Sequence, residues 1–284
     1  MLVSVIIPTY NRAARVVEAV ESVRRQTYPA KQIIVVDDGS IDDTGRRLAK
    51  FGDVEYFYQK NQRQAAARNA GFKKAKGGYI ATLDSDDVWE QNFLSESVAC
   101  LEKNNLDFVF SSWQTIKPTG CFPSAWEMSG VWKNYLNKPS SSWFLLAPDE
   151  VRELFIKTCP APSSSLLIRR SSMISEWNTS LKIADDWCLV LDMIFAKPCR
   201  AAFTLRRLWT KNVHDQNIYD GRSRREVAAE LEIHDARLMK ERYLSQLTVN
   251  EKSVFDRRMI KGNLILAAYF VKNSLGIKQS IKFW

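Results

Sequence analysis

The chain has 284 residues, 45% of them hydrophobic and 26% charged, with a formal net charge of +9. That balance excludes the disordered and fibrous classes, and the length allows one large domain or a domain with an appendage. The longest apolar runs, such as Leu264-Ile-Leu-Ala-Ala-Tyr-Phe-Val271, fall short of the roughly 20 residues that span a bilayer, and the N-terminus enters a strand without a signal-peptide pattern, so the expectation is a soluble protein on the cytoplasmic side.

In chain order, the pattern predicts strand 2–8, helix 13–26, strand 32–37, helix 42–50, strand 54–58, helix 63–76, strand 79–83, helix 90–104 and strand 107–111. Val3-Ser-Val-Ile-Ile-Pro8 and Gln32-Ile-Ile-Val-Val-Asp-Asp38 are continuous apolar runs of the kind buried on both faces, each followed by a helical pattern. Such alternation means βαβ units and a mostly parallel sheet flanked by helices, an α/β fold. Gln114 to Pro148, rich in Trp, Pro, Ser and Lys, reads as long loops or a short hairpin region. Helical periodicity resumes at 149–157 and 185–196, and a mainly helical tail runs from about Arg222 to the end. Five cysteines without a CxxC pair, Cys100, Cys121, Cys159, Cys188 and Cys199, read as free thiols. Trp113, Trp126, Trp132 and Trp143 suit either a sugar-stacking surface or a small apolar cluster.

The chemistry gathers at strand ends. Tyr79-Ile-Ala-Thr-Leu-Asp-Ser-Asp-Asp87 ends in Asp84, Asp86 and Asp87, and carboxylates this close repel unless a cation sits among them. Hard oxygen ligands suit Mg²⁺ or Mn²⁺ bridging a diphosphate. Taken alone, the cluster fits equally a helix cap near Trp89. Ligands of open parallel sheets bind beyond the C-terminal strand ends, which would draw Thr9, Tyr10, Asp37, Asp38, Asp84 and Asp86 into one pocket.

Ser4-Val-Ile-Ile-Pro-Thr-Tyr-Asn11, Val35-Val-Asp-Asp-Gly-Ser40, Ala67-Arg-Asn-Ala-Gly71 and Gly78-Tyr-Ile-Ala-Thr-Leu-Asp-Ser-Asp-Asp87 stand in the order of the motifs of glycosyltransferase family 2, which this chain resembles. The resemblance implies the GT-A fold, a Rossmann-like sheet with a helical C-terminal region added here, and an inverting, metal-dependent transfer from a nucleotide-sugar. It covers the first third strongly, gives no help from about Lys117 to Arg170, and returns at Asp185-Asp-Trp187.

By that resemblance Pro8, Thr9, Tyr10 and Asp38 bind the base and ribose, with Asp37 beside them, and Arg68 lies near the nucleotide or its phosphates. Asp84-Ser85-Asp86 matches the DxD motif: Asp86 ligates Mn²⁺ or Mg²⁺, Asp84 contacts ribose or a metal-bound water, and Ser85 lines the donor site. Asp87 reads as a helix cap or a supporting partner. Asp186 takes the place of the catalytic base, and Asp185, where the family usually has Glu, stands with Trp187 either on the acceptor side or as a supporting partner. His214 is a candidate further metal ligand, a solvent-exposed loop position being the competing reading. The glycine common shortly upstream of the Arg68 motif is absent, and Gln62-Arg-Gln64 stands there.

The implied layout is a GT-A domain at 1–210, with a nucleotide-binding half at about 1–112 and an acceptor half at about 113–210, followed by a helical extension at 211–284. From Arg206 onward sixteen Lys and Arg face nine Asp and Glu, so most of the positive charge lies there. That tail suits either a solvated face or an electrostatic dock at the inner membrane face. UDP is the favoured nucleotide by family prevalence, with dTDP and GDP open, and surface glycans, lipid-linked saccharides and glycoproteins are all open as acceptors. Three readings compete. A sugar-nucleotidyltransferase would carry a Gly-rich loop where Pro8-Thr-Tyr-Asn11 stands. A catalytically silent carbohydrate-binding protein would have no need of Asp84, Asp86 and Asp186 together. For a nucleic-acid binder, no recognition motif is present.

Overall fold

A computed structural model describes residues 1–124, 143–214, 217 and 219–274. They divide into two compact units, one of residues 1–179 and 185–213, the other of 180–184 and 214–284.

The first unit is built on a ten-stranded sheet in the order β3-β2-β1-β4-β9-β6-β10-β5, with β7 on β6 and β8 on β10. The strands are β1 (Val3–Thr9), β2 (Lys31–Asp37), β3 (Val54–Tyr58), β4 (Tyr79–Thr82), β5 (Val88–Trp89), β6 (Phe108–Lys117), β7 (Gly120–Pro123), β8 (Trp143–Leu146), β9 (Leu166–Arg169) and β10 (Ala201–Asn212). β3, β2, β1 and β4 pair in parallel, and β6 and β10 run the same way beyond the antiparallel β9, so the central sheet is mostly parallel. β1 is buried along its whole length, Ser4 and Thr9 included, as expected of a mainly apolar strand covered on both faces.

Helix α1 (Ala13–Arg24) buries Ala13, Val16, Ala19, Val20 and Val23, a 3.6-residue stripe. α2 (Thr44–Leu48) is short. α3 (Arg63–Lys74) lies against β1 with small residues, Ala65, Ala67 and Gly71. A Cβ at Gly71 would sit 2.5 Å from Ile6 Cγ2. Gly71→Val is therefore expected to cost stability at the upper end of the roughly 1–3 kcal/mol typical of overpacking, read as a lower urea midpoint at unchanged m-value. α4 (Phe93–Lys103) and α5 (Pro148–Lys157) add further cover. α6 (Asp185–Ala196) is apolar on nearly every side after its first two residues, and Trp187 through Ile194 are all buried.

Several elements depart from the sequence expectation. The helix expected from 90 begins at Phe93, because Val88 and Trp89 pair with Thr210 and Trp209 as a short strand. The strand expected at 107–111 continues to Lys117 and turns back through β7 as a hairpin. β9 and β10 were not expected: β9 has only four residues, and register shifts between Thr204 and Trp209 interrupt the alternation of β10. Trp113 is buried against Trp209 at 5.2 Å between ring centroids, which makes it core. Trp143 lies on β8, and Trp126 and Trp132 lie outside the described residues. All five cysteines are free thiols.

The second unit is helical among its described residues. α7 (Arg224–Val227) continues through a π-helical segment (Ala228–Asp235) into α8 (Ala236–Arg242), and α9 (Val249–Ser274) packs on the π segment, where Gly262 meets Ile233. Asp235 is fully buried and accepts hydrogen bonds from the backbone N–H groups of Lys182, Ile183 and Ala184. No described helix is long and apolar enough to cross a membrane.

Candidate functional site

The C-terminal ends of β1 and β2 are tied into one rim. Asp38 N–H donates to Thr9 C=O at 2.8 Å, Asn11 N–H to Ser40 Oγ at 2.8 Å, and Ile41 N–H to Asn11 Oδ1 at 2.9 Å. Gly39 permits the turn: its φ is +90°, and a Cβ there would meet Asn61 N at 2.9 Å. Asp37 is buried, accepting from Ser40 N–H and from the Tyr56 hydroxyl. Asp38 accepts from Gln59 Nε2 and from Gln62 N–H, and burial raises its pKa against those bonds. The Gln62-Arg-Gln64 segment thus carries a defined role, since Gln62 holds Asp38 and Gln64 Nε2 donates to Asp185 at 2.8 Å. Pro8 is the penultimate residue of the buried strand, Thr9 closes it with its Oγ1 buried and without a partner, and Tyr10 is 47% exposed beyond it.

The acidic turn after β4 lies at the next strand end. Asp87 N–H donates to Asp84 C=O, and Ser85 is buried with its hydroxyl unpartnered. Asp84 is paired with Arg68 Nη2 at 2.7 Å, and Asp86 with Arg12 Nη1 at 2.9 Å. Asp87 caps no helix. It is buried, accepts from Ser164 Oγ at 2.7 Å, and is held well above the ordinary carboxylate value by burial and by the charges of Asp86 and Asp84.

Arg68 joins this turn to the acidic pair at the start of α6. Its guanidinium is 2% exposed, with Nη1 2.5 Å from Asp185 Oδ2 while Nη2 holds Asp84. Burial acts against its charge, yet Asp185, Asp84 and Asp186 keep its pKa above the ordinary arginine value. Asp185 is buried, and burial raises its pKa against the opposing charge of Arg68. Asp186 is partly accessible, and burial followed by the charge of Asp185 pushes it up to about 7. Its Oδ2 accepts from Ser163 N–H at 3.0 Å and Ser163 Oγ at 3.3 Å, and its Oδ1 from Trp187 N–H at 2.7 Å. Trp187 is itself buried, its indole N–H donating to Phe155 C=O. His214 belongs to the second unit, where its N–H donates to Asn217 Oδ1.

Three residues of this site escaped the sequence reading. Arg12 directly follows the first motif and reaches Asp86. Ser163 and Ser164 form a turn that supports Asp186, Asp87 and, through Ser164 Oγ, the N–H of Asp84. The run Pro160-Ala-Pro-Ser-Ser-Ser165 was the available signal, a rigid turn followed by three hydroxyls.

The donor set can be tested against a divalent cation. Asp84, Asp86, Asp87, Asp185 and Asp186 share this corner with Arg12 and Arg68, and burial first, then the neighbouring carboxylates, raises Asp87, Asp185 and Asp186. No group of three His, Cys, Asp or Glu able to hold a metal occurs among the described residues. One or two carboxylates completed by substrate phosphate oxygens is the usual way Mg²⁺ is held, and these residues fit that arrangement rather than a cage made by the protein alone.

The family model described as Glycosyl transferase family 2 matches residues 4–172. An uncharacterised glycosyltransferase of Rickettsia felis is 34% identical over 194 residues, which are 66% of this chain and 29% of that protein. Two Escherichia coli proteins, WfgD and WfaP, both named UDP-Glc:alpha-D-GlcNAc-diphosphoundecaprenol beta-1,3-glucosyltransferase, are 36% identical over 40% of this chain and 47% of their own length, and 38% over 51% and 60%. The chain therefore spans less than two thirds of the length of each of these relatives. In structure it is similar to Staphylococcus aureus TarS in complex with UDP-GlcNAc, with a TM-score of 0.66 at 17% identity over 92% of this chain and 71% of that one. It is also similar to a Pyrobaculum calidifontis mannosyltransferase in complex with GDP-Man and Mn²⁺, at 0.57 and 17% over 96% and 79%. The fold expected from the motifs, GT-A, is the fold observed.

Proposed function

We propose a reaction for this chain from one premise: it belongs to glycosyl transferase family 2, and it is a glycosyltransferase using a nucleotide-sugar donor. The reaction is inverting transfer from a UDP-sugar to a hydroxyl of a glycan, with a lipid-linked saccharide as the leading acceptor class and glycoproteins behind it. The observation that carries it is Asp186, a carboxylate fixed by three donors and pushed up to about 7, beside the Arg68 link to the DxD turn.

Asp186 takes the proton of the acceptor hydroxyl, and the oxygen attacks the anomeric carbon from the face opposite the diphosphate in one displacement. Pro8, Thr9, Tyr10, Asp38 and Ser85 line the donor side, where the unpartnered hydroxyls of Thr9 and Ser85 are free to bond a ligand. Asp185 and Arg68 hold Asp186 and Asp84 in register. Asp86, with Asp84 beside it, would hold Mn²⁺ or Mg²⁺, whose chemistry when bound is to neutralise charge on the departing nucleoside diphosphate. His214 as a further ligand rests on the motif resemblance alone. The UDP-glucose and diphosphoundecaprenol substrates in the names of the Escherichia coli relatives, and the UDP complexes of TarS, support UDP and a lipid-linked acceptor.

The test is thermal shift and donor hydrolysis across UDP-, dTDP- and GDP-sugars with and without Mn²⁺. At about 100 times Kd the cognate donor is expected to add about 2.7 kcal/mol of stability, and Asp86→Ala to lose the metal-dependent part. Absence of any shift with every nucleotide and metal would overturn the reading in favour of a silent carbohydrate-binding protein.

A further inference from the structure

The second unit carries a surface that sugar transfer does not use. Along α9 the side chains of Ile260, Leu264, Ala267 and Val271 follow at intervals of four, three and four residues, which places them in one stripe. All four positions are exposed, Leu264 at 66%, and Phe270 beside the stripe is 74% exposed. The opposite side of α9 buries Phe255 and Gly262 within its own unit. The helix therefore has two apolar faces, one covered and one open. A single exposed leucine is ordinary, whereas a continuous row over three helical turns marks a surface meant to be covered.

Charge identifies what covers it. From Arg257 to Trp284 the sequence holds six Lys and Arg and not one Asp or Glu. At 100° per residue, Arg257, Lys261 and Lys272 fall along one edge of the stripe. We propose that α9 docks in the interface of a bilayer containing anionic phospholipids. Ile260, Leu264, Phe270 and Val271 enter the acyl boundary, while Arg257 and Lys272 meet headgroup phosphates, Lys261 beside them being paired with Glu232 at 3.4 Å. A second copy fits less well, because an isologous contact through this face would set cations against cations, and five side chains are few beside the 20–30 residues per side of a stable interface. A nucleic acid would use the charge but not the stripe. The inference goes beyond the transferase reading and stands without it, since it uses no residue of the donor or acceptor site.

The experiment is co-sedimentation of the full chain with vesicles of phosphatidylcholine alone and of phosphatidylcholine with about a third phosphatidylglycerol. Binding to the anionic vesicles is expected to be at least about tenfold stronger and to weaken with added salt. Ile260→Glu/Leu264→Glu is expected to reduce it about tenfold, and Arg257→Glu/Lys272→Glu to remove the preference for anionic lipid. Unchanged helical circular dichroism and UDP-sugar thermal shift in both variants show that the fold and the donor site are intact, so loss of docking is separable from loss of the transferase reading. Equal binding to both vesicles, undiminished binding by Ile260→Glu/Leu264→Glu, or a wild-type dimer that Leu264→Glu dissociates would each overturn the proposal, the last assigning the face to copies of this chain.

Discussion

Asp186→Asn is expected to lower kcat by roughly 10²- to 10⁴-fold, the usual worth of a positioned general base, with donor affinity nearly unchanged. The side chain keeps its size but can no longer take a proton. In the wild type the two carboxylate oxygens accept from Ser163 and Trp187, which favours the ionised form, while burial and Asp185 oppose it and carry the value up to about 7. A base titrating there gives kcat/KM an acid limb, with activity falling about tenfold per pH unit below that value. Asp186→Asn should flatten the limb. A wild-type profile level from pH 5 to 8, or an unchanged limb in Asp186→Asn, would remove Asp186 from the role.

The same shift has a stability consequence whose sign is fixed. The ordinary value is 3.8 and the folded value about 7, so between them the native state keeps a proton that the unfolded chain gives up. This group's contribution is fully present below the ordinary value and is lost as pH rises through about 7. Asp185, Asp87 and Asp38 are raised as well and act in the same direction. Thermal midpoints should accordingly drift downward between pH 5 and 7.5, less steeply in Asp186→Asn.

Strand ends were legible in the sequence because parallel strands buried on both faces write their positions as unbroken apolar runs, and β1, β2 and β4 place their terminal residues on one rim as that pattern demands. The acidic pair was legible for a similar reason, since Asp185 and Asp186 open a helix that is apolar beyond them except at Asp192. What joins these pieces was not. Arg12, Ser163 and Ser164 act through contacts across 74, 23 and 77 residues of chain, to Asp86, Asp186 and Asp87, and no local pattern records a partner at that distance. Asp87 shows the converse, a residue whose local setting reads as a cap and whose tertiary setting makes it a buried carboxylate bonded to Ser164. β10 was missed because its register shifts break the alternation by which a strand is recognised.

Arg68→Met tests the link on which the site is assembled. It removes the cation between Asp84 and Asp185 and leaves the latter, 1% exposed, as a buried carboxylate without its counter-charge. Breaking a buried pair from one side costs about 3–5 kcal/mol, which for a chain of this size lowers the thermal midpoint on the order of 10 °C. The loss should shrink as pH falls, because Asp185 is already raised by burial and, with Arg68 gone, protonates more readily still. Arg68→Met/Asp185→Leu, which removes both charges, should recover part of the stability while leaving turnover low, since Asp84 then lacks the Arg68 guanidinium that holds it. If the double variant is no more stable than Arg68→Met, the two side chains are not the coupled pair that the 2.5 Å contact describes.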